Sequence, residues 1–182
     1  PYTGIEIKVI DDAGKEVPAG QDGELIFQGP NTAAGYYRDM QRTLETWGTL
    51  GKDGWFHTGD LLMVDRKGNL VITGRKKDVY KRGGQNVYPA EIEDLLRSNP
   101  KIADAAVVGM PDKIMGEKGC AYIVLKKGET LSFEEMKSFL QSKKIAPYKM
   151  PERLEIIDEI PMKNFKVVKA ALREDVTKKL KA

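Results

Sequence analysis

Short runs that alternate apolar and polar residues dominate residues 1–75, and this period of two is typical of half-buried β-strands. The strand-like runs are residues 5–9, 23–28, 61–64 and 70–72, and the last two flank a turn-forming segment at 65–69. Two apolar runs around such a turn predict a β-hairpin. Only residues 39–46 predict a short helix here, so we expect this part to consist mainly of strands and turns.

After Arg75 the pattern changes to an alternation of helical and strand-like runs, in the predicted order β, α, β, β, α, β, α. The helical runs begin near Pro89, Ser132 and Lys169, and the strand-like runs are 103–110, 119–125 and 153–157. Ser132 has capping-box spacing to Glu135, and the last helical run carries leucine or valine at 172, 176 and 180, on one predicted face. We therefore predict an α+β fold with two parts. A small strand-rich, distorted barrel-like subdomain at 1–75 is followed by a compact C-terminal α+β domain at 76–182.

Composition narrows the classes of function. The chain is 41% hydrophobic and 31% charged, as in ordinary globular proteins, and its formal charge of +3 is too small to indicate a nucleic acid or a membrane surface as partner. No apolar run approaches the roughly 20 residues of a membrane span, and no signal peptide is recognised. We expect Cys120, the only cysteine, to be a buried apolar residue. A chain without a possible internal disulfide is typical of a reducing, cytoplasmic compartment. The single His57 excludes a His-rich metal site.

Three segments carry candidate chemistry. Asp60 ends the segment 54–60, where a carboxylate on a tight glycine turn could accept hydrogen bonds from two vicinal hydroxyls. Its plainer interpretation is an aspartate that caps a strand end, and sequence physics alone favours that one. Residues 160–169 carry lysines in a loop before the last helix, where a positive charge could stabilise a developing phosphate charge. A solvated lysine is the plainer alternative.

The segment between Arg75 and Glu93 is the third candidate. Five of the eight residues from Arg75 to Arg82 are cationic, Gly83 and Gly84 allow close approach of the backbone to a ligand, and a helix N-terminus follows near Pro89. These features suit a phosphate-bearing ligand. A charge run is more often a solvated surface, so this segment by itself is a weak signal.

The three segments occur together in an order that resembles the C-terminal part of adenylate-forming enzymes, namely acyl- and aryl-CoA synthetases, adenylation domains and luciferases. The resemblance covers essentially the whole chain and is carried by Thr58-Gly59-Asp60, Gly74-Arg75-Lys76-Lys77-Asp78, Pro89-Ala90-Glu91-Ile92-Glu93 and the loop at 160–169. Residues 115–122 and 148–153 look most like 2,3-dihydroxybenzoate–AMP ligases and related acyl-CoA ligases.

The resemblance implies a role for several residues. Asp60 would bind the ribose hydroxyls of ATP, Arg75 would contact ribose or phosphate oxygens, and Lys77 would be the hinge between two half-reactions. Lys166 would be the catalytic lysine of adenylation. The residues implied for the pantetheine tunnel are Arg82, Gly83, Gly84 and Gln85. The implied ligands are ATP, with magnesium bound largely outside this chain, a small carboxylic acid, and CoA or a phosphopantetheine carrier protein.

One departure from the family pattern concerns the lysine. The family usually has glycine directly before it and a loop one residue longer, whereas here Phe165 precedes Lys166. Lys166 is aligned because residues 167–169 and the helix follow it correctly, and Lys163 is the alternative.

The resemblance also implies that a large N-terminal domain, with the acyl pocket and a Ser/Thr/Gly-rich phosphate loop, lies outside the chain. We expect the isolated chain to be inactive as a ligase. Because the acyl pocket lies outside the chain, its sequence does not identify the acid substrate. Two alternatives stay open. One is a stand-alone nucleotide, CoA or carrier-protein binding module without ligase activity, and the other is a nonribosomal adenylation domain.

Overall fold

A computed structural model describes residues 4–47 and 54–181 of the 182-residue chain. Its contacts divide it into two compact units, Pro1–Lys77 and Asp78–Ala182. Both units mix strands with helices, which confirms the predicted α+β class. The assignment of 1–75 and 76–182 as domains stays a prediction.

Unit one is built on a four-stranded antiparallel sheet. Its strands are β1 (Glu6–Ile10), β2 (Asp22–Gln28), β3 (Phe56–Val64) and β4 (Leu70–Arg75), which pair in chain order. The helix α1 (Met40–Trp47) precedes β3, as the sequence predicted. The predicted hairpin is confirmed by the pairing of β3 with β4. Among the described residues no ladder joins β1 to β4, so the sheet pairs as a meander rather than a closed barrel.

Unit two has a five-stranded sheet and three helices. The strands are β5 (Tyr80–Arg82), β6 (Gln85–Val87), β7 (Ile102–Asp112), β8 (Gly116–Leu125) and β9 (Arg153–Ile156). The sheet order is β6-β5-β8-β7, and β9 pairs in parallel with β8. The helices are α2 (Pro89–Arg97), α3 (Phe133–Ser142) and α4 (Lys169–Lys179). A separate two-stranded hairpin, β10 (Met162–Lys163) and β11 (Lys166–Val167), leads into α4.

Strands β7 and β8 are buried on both faces, which explains their nearly continuous apolar sequence. One face packs residues such as Val107 and Ile123 against α2 and α3, through Ile92 and Met136 among others. The opposite face packs residues of β7 and β8 against Leu172 and Val176 of α4. Cys120 lies on this second face and is fully buried, as predicted.

The sequence predicted the helices well, apart from one end. Ser132 and Glu135 form the capping box that opens α3, as their spacing predicted. The prediction that Leu172 and Val176 lie on the apolar face of α4 is confirmed, since both are buried. The same prediction is wrong for Leu180, which follows the end of the helix and is exposed.

Tyr80 fills a notch between two glycines that lie opposite each other, Gly109 on β7 and Gly119 on β8. A Cβ atom at Gly109 would come within 2.6 Å of the Tyr80 Cβ, and one at Gly119 would overlap the Tyr80 hydroxyl. That hydroxyl is buried without a hydrogen-bond partner in the described part of the chain. The ring fits because both neighbours lack a side chain.

We expect Gly119→Ala to lower the free energy of unfolding by about 1–3 kcal/mol, the usual cost of overpacking a core. Tyr80→Phe is expected to be neutral or slightly stabilising, because it removes a buried hydroxyl that has no partner. In the double variant that combines Gly119→Ala with Tyr80→Phe, the alanine should lower the free energy of unfolding by less, because the hydroxyl that it would overlap is absent. Urea unfolding of all four proteins measures this coupling.

Tyr122→Phe provides the matched control. The Tyr122 hydroxyl donates to Asp175 Oδ2 at 2.6 Å, so its loss should be destabilising. Equal costs for the two tyrosine substitutions, or strict additivity of Gly119→Ala and Tyr80→Phe, would contradict the explanation.

Candidate functional site

In unit one, Asp60 is positioned by a bulge inside β3. The β2–β3 pairing passes directly from Glu24 opposite Leu61 to Ile26 opposite His57, so that residues 58–60 bulge out. Gly59 has φ +70°, a backbone conformation that favours glycine. The Thr58 hydroxyl donates to the Leu25 carbonyl at 2.8 Å and accepts from the Asp60 amide at 3.0 Å. The predicted glycine turn is therefore wrong in detail, since the aspartate lies on an internal bulge.

The structure brings Asp60 and Arg75 together, as neighbours on β3 and β4. The two residues lie directly opposite each other, and Arg75 Nε is 3.2 Å from Asp60 Oδ1. Their side chains are 45% and 41% exposed, respectively. An exposed ion pair of this kind contributes little stability, so its polar atoms can bind a ligand at small cost. Together they offer a carboxylate acceptor and guanidinium donors on one surface.

Glu24 contacts the bulge and is a buried carboxylate that the sequence reasoning missed. It accepts from the Gly59 amide at 3.2 Å and from Lys76 Nζ at 3.0 Å, and it lies 3.4 Å from His57 Nδ1. Burial raises the pKa of the Glu24 carboxyl, but hydrogen bonds from Lys76 and His57 lower it by more, so the net pKa is below its usual value. Glu24 thus holds the bulge in place. Its sequence signal was an acidic residue at an inward position of β2.

In unit two, the predicted lysine loop is a tight hairpin. Asn164 and Phe165 form a two-residue turn with φ of 50° and 60°, and Lys163 lies directly opposite Lys166. Such turns favour glycine at the second position, and a left-handed Phe165 costs roughly 1–2 kcal/mol. Both lysines are exposed. Like charges directly opposite each other repel, so this hairpin gains stability from a bound anion.

The Gly83–Gly84 segment is also a hairpin turn, between β5 and β6, with φ of 56° and 83°. The Gly83 amide donates to the Met115 carbonyl at 2.8 Å, which fastens the turn to the β7–β8 connection. Asp112 stabilises that connection by accepting from the Met115 and Ile114 amides. These bonds, together with Lys118, lower the pKa of Asp112 to about 2.

Several cations of the dense run from Arg75 to Arg82 have carboxylate partners within their own unit. Arg75 pairs with Asp60, and Lys76 pairs with Glu24 and with Asp12. Arg82 is only 19% exposed and forms an ion pair with Glu152. The sequence alone did not show the carboxylates that neutralise these three cations.

Cys120 takes no part in the candidate chemistry. Burial raises the pKa of its thiol to about 12, which keeps it protonated. Among the described residues there is no group of three or more His, Cys, Asp or Glu side chains that could hold a metal ion. In the parts of the chain that the structure describes, every helix is too short or too polar to span a bilayer.

Residues 91–166 match the family model described as the AMP-binding enzyme C-terminal domain. Over 179 residues the chain is 44% identical to the medium-chain fatty-acid–CoA ligase of Escherichia coli K12, covering 97% of this chain and 31% of that protein. It is 38% identical over 183 residues to the 2,3-dihydroxybenzoate-AMP ligase of Bacillus subtilis 168, covering 100% of this chain and 33% of the relative. The chain thus spans about a third of the length of these relatives.

A solved structure shows the same architecture. The ATP-bound MatB from Rhodopseudomonas palustris matches with a TM-score of 0.86 at 36% identity, over 96% of this chain and 34% of that one.

Proposed function

Because the chain belongs to the adenylate-forming (AMP-binding) enzyme family and matches the C-terminal domain of its members, we propose that it is part of an ATP-dependent acid–thiol ligase. In such a reaction a carboxylate oxygen of the acid attacks the α-phosphorus of ATP and pyrophosphate leaves. A thiol then attacks the acyl carbonyl, loses its proton, and AMP leaves. The observation that carries the proposal is the exposed Asp60–Arg75 pair on one unit together with the paired lysines on the other.

Asp60 and Arg75 are proposed to bind the nucleotide. The Asp60 carboxylate can accept hydrogen bonds from both ribose hydroxyls, and the Arg75 guanidinium can donate to a ribose or phosphate oxygen. The bulge and the buried Glu24 hold this surface rigid, so little order must be gained on binding.

Lys166 is proposed to be the catalytic residue of adenylation, contacting the acid carboxylate and the α-phosphate. Its ammonium group would stabilise the negative charge that grows on the phosphate oxygens in the transition state. The repulsion from Lys163 directly opposite disfavours the empty hairpin and thereby strengthens binding of an anion.

The Gly83–Gly84 turn, with Arg82 and Gln85, is proposed to line the path of the acceptor. Both glycines have positive φ and leave backbone without side chains, which suits close contact with a narrow pantetheine arm. The acceptor is then a phosphopantetheine thiol, whether of CoA or of a carrier protein.

Lys77 is proposed as the hinge between the two half-reactions. Magnesium is proposed to accompany ATP. With a single buried cysteine, we propose a cytoplasmic location.

An ATP–pyrophosphate exchange assay over a panel of carboxylic acids, with the full-length protein, tests the proposal. We expect exchange with at least one acid, and we expect Asp60→Ala to raise the KM for ATP by about 10- to 100-fold through loss of charge-assisted hydrogen bonds. Asp158→Ala, an exposed aspartate, is the matched control. Absence of exchange with every acid, in protein that is folded, would contradict the proposal.

The 182-residue chain by itself is proposed to release no pyrophosphate from ATP, because catalysis depends on holding acid, ATP and lysine together.

A further inference from the structure

We propose that Phe165 is an apolar anchor, which seats the lysine hairpin on the part of the protein that holds the acid during adenylation. The ring would be buried only in that half-reaction, and its burial would position Lys166. The inference rests on the proposed function, because it takes from it that Lys166 contacts the acid carboxylate. Phe165 is thus a positioning residue, since it acts through Lys166.

Two unfavourable features coincide at Phe165. The residue is fully exposed, with a relative accessible surface of 101%, although an aromatic ring gains free energy when it leaves water. Its backbone has φ 60°, a left-handed conformation that a bulky residue rarely adopts. Glycine at this position would remove both costs. Strained residues of this kind cluster at functional sites, so the ring calls for a functional explanation.

The base of the hairpin is fastened to unit two, so that the turn at its tip has a defined position. Ile160 is buried in the core between the sheet and α4, and Val167 packs against the same core. The Val168 amide donates to the Pro161 carbonyl at 2.8 Å across the base. A fastened base and a tight turn therefore hold Phe165 out in water instead of letting it collapse onto its own unit.

The position of the ring in the chain indicates what covers it. Phe165 directly precedes Lys166, and the Cα atoms of neighbouring residues are only about 3.8 Å apart. When the Lys166 ammonium reaches the acid carboxylate, the ring one residue away lies against the surface that holds the acid. That surface would belong to the rest of a full-length ligase, because this chain spans only 31% and 33% of two of its relatives.

Burial of the ring would favour the seated hairpin over the free one. Moving the Lys166 ammonium from water into the site has a desolvation cost, which its contacts with the acid and the phosphate must exceed. A phenylalanine ring that leaves water at the same time offsets part of that cost. The gain for one such side chain corresponds to a shift of about 10- to 100-fold in the seating equilibrium.

Phe165→Gly tests the anchor, because it should change stability and adenylation in opposite directions. In the 182-residue chain the midpoint of urea unfolding should rise by about 0.5 M, since glycine relieves the left-handed turn. In the full-length protein, acyl-adenylate formation at saturating ATP and acid should slow by about 10- to 100-fold. The acid for this assay is the one with which the wild-type protein exchanges pyrophosphate fastest. Thioester formation from synthetic acyl-adenylate should be unchanged, because Lys166 is not needed in that step.

Asn164→Gly is the matched control. Asn164 is the other left-handed residue of the same turn, with φ 50°, so glycine there alters the turn but keeps the ring. This variant should leave adenylation unchanged. Phe165→Leu, which keeps an apolar side chain, should recover most of the rate that Phe165→Gly loses.

The anchor would be overturned if Phe165→Gly forms the adenylate as fast as the wild-type protein. Equal slowing by Asn164→Gly, or no recovery with Phe165→Leu, would overturn it as well, since the turn and not the ring would then matter. All three outcomes leave the proposed ligase function standing. A wild-type protein that exchanges pyrophosphate with none of the acids would contradict that function, and the anchor would fall with it.

Discussion

Replacing Lys166 by alanine in the full-length protein is expected to lower the rate of acyl-adenylate formation by about 10²- to 10³-fold, the usual effect of removing one group that stabilises transition-state charge. Thioester formation from supplied acyl-adenylate should be nearly unchanged, because the phosphate charge no longer develops in that step. The two half-reactions can be measured separately, by pyrophosphate release and by thioester formation from synthetic adenylate.

Lys163→Ala is the natural control for this experiment. Lys163 lies directly opposite Lys166 in the same hairpin and is equally exposed, so the two variants remove the same charge from nearly the same place. We expect the alanine at 163 to have a much smaller effect on adenylation. If Lys163→Ala abolishes adenylation and Lys166→Ala does not, the alternative assignment is correct.

Replacing Glu93 by alanine is expected to destabilise the chain by about 3–5 kcal/mol, because it leaves the largely buried Lys169 ammonium group, only 12% exposed, without its main partner. Glu93 is buried on α2, lies 2.7 Å from Lys169 Nζ, and also accepts from the Val107 amide at 2.7 Å. Both interactions are lost together. Urea unfolding of the 182-residue chain measures the change.

Two further variants separate the charge from the fold. Glu91→Ala, on the same helix but with an exposed pair to Lys149, should cost no more than about 1 kcal/mol. The double variant Glu93→Met with Lys169→Met should recover much of the lost stability, since apolar side chains of similar size replace both charges. A Glu93→Ala protein as stable as the Glu91→Ala protein would show that the pair contributes little.

Local signals in the sequence predicted much of this fold. The β3–β4 hairpin was recognisable from two apolar runs around a turn, and the start of α3 from the spacing of Ser132 and Glu135. Both depend on residues within a few positions of each other. Asp60 and Arg75 were also predicted as site residues from motifs, and the structure places them side by side, although their roles stay a proposal.

Partners that are distant in sequence were beyond reach. Nothing near Lys76 in the chain points to Glu24, 52 residues earlier, and nothing near Asp78 points to Arg173. The lysine hairpin was predicted only as a loop, because Asn164 and Phe165 lack the glycine that usually marks such a turn. Short paired strands and long-range ion pairs leave little periodic pattern to detect.

The notch around Tyr80 has a consequence for strand register. Alternation normally fixes how two strands align, because a slip by one residue turns apolar side chains to water. Strands β7 and β8 are apolar on both faces, so burial alone would tolerate such a slip. Any shift separates Gly109 from Gly119 and closes the space that the Tyr80 ring occupies. One aromatic ring at the start of β5 therefore selects a single alignment of the two central strands.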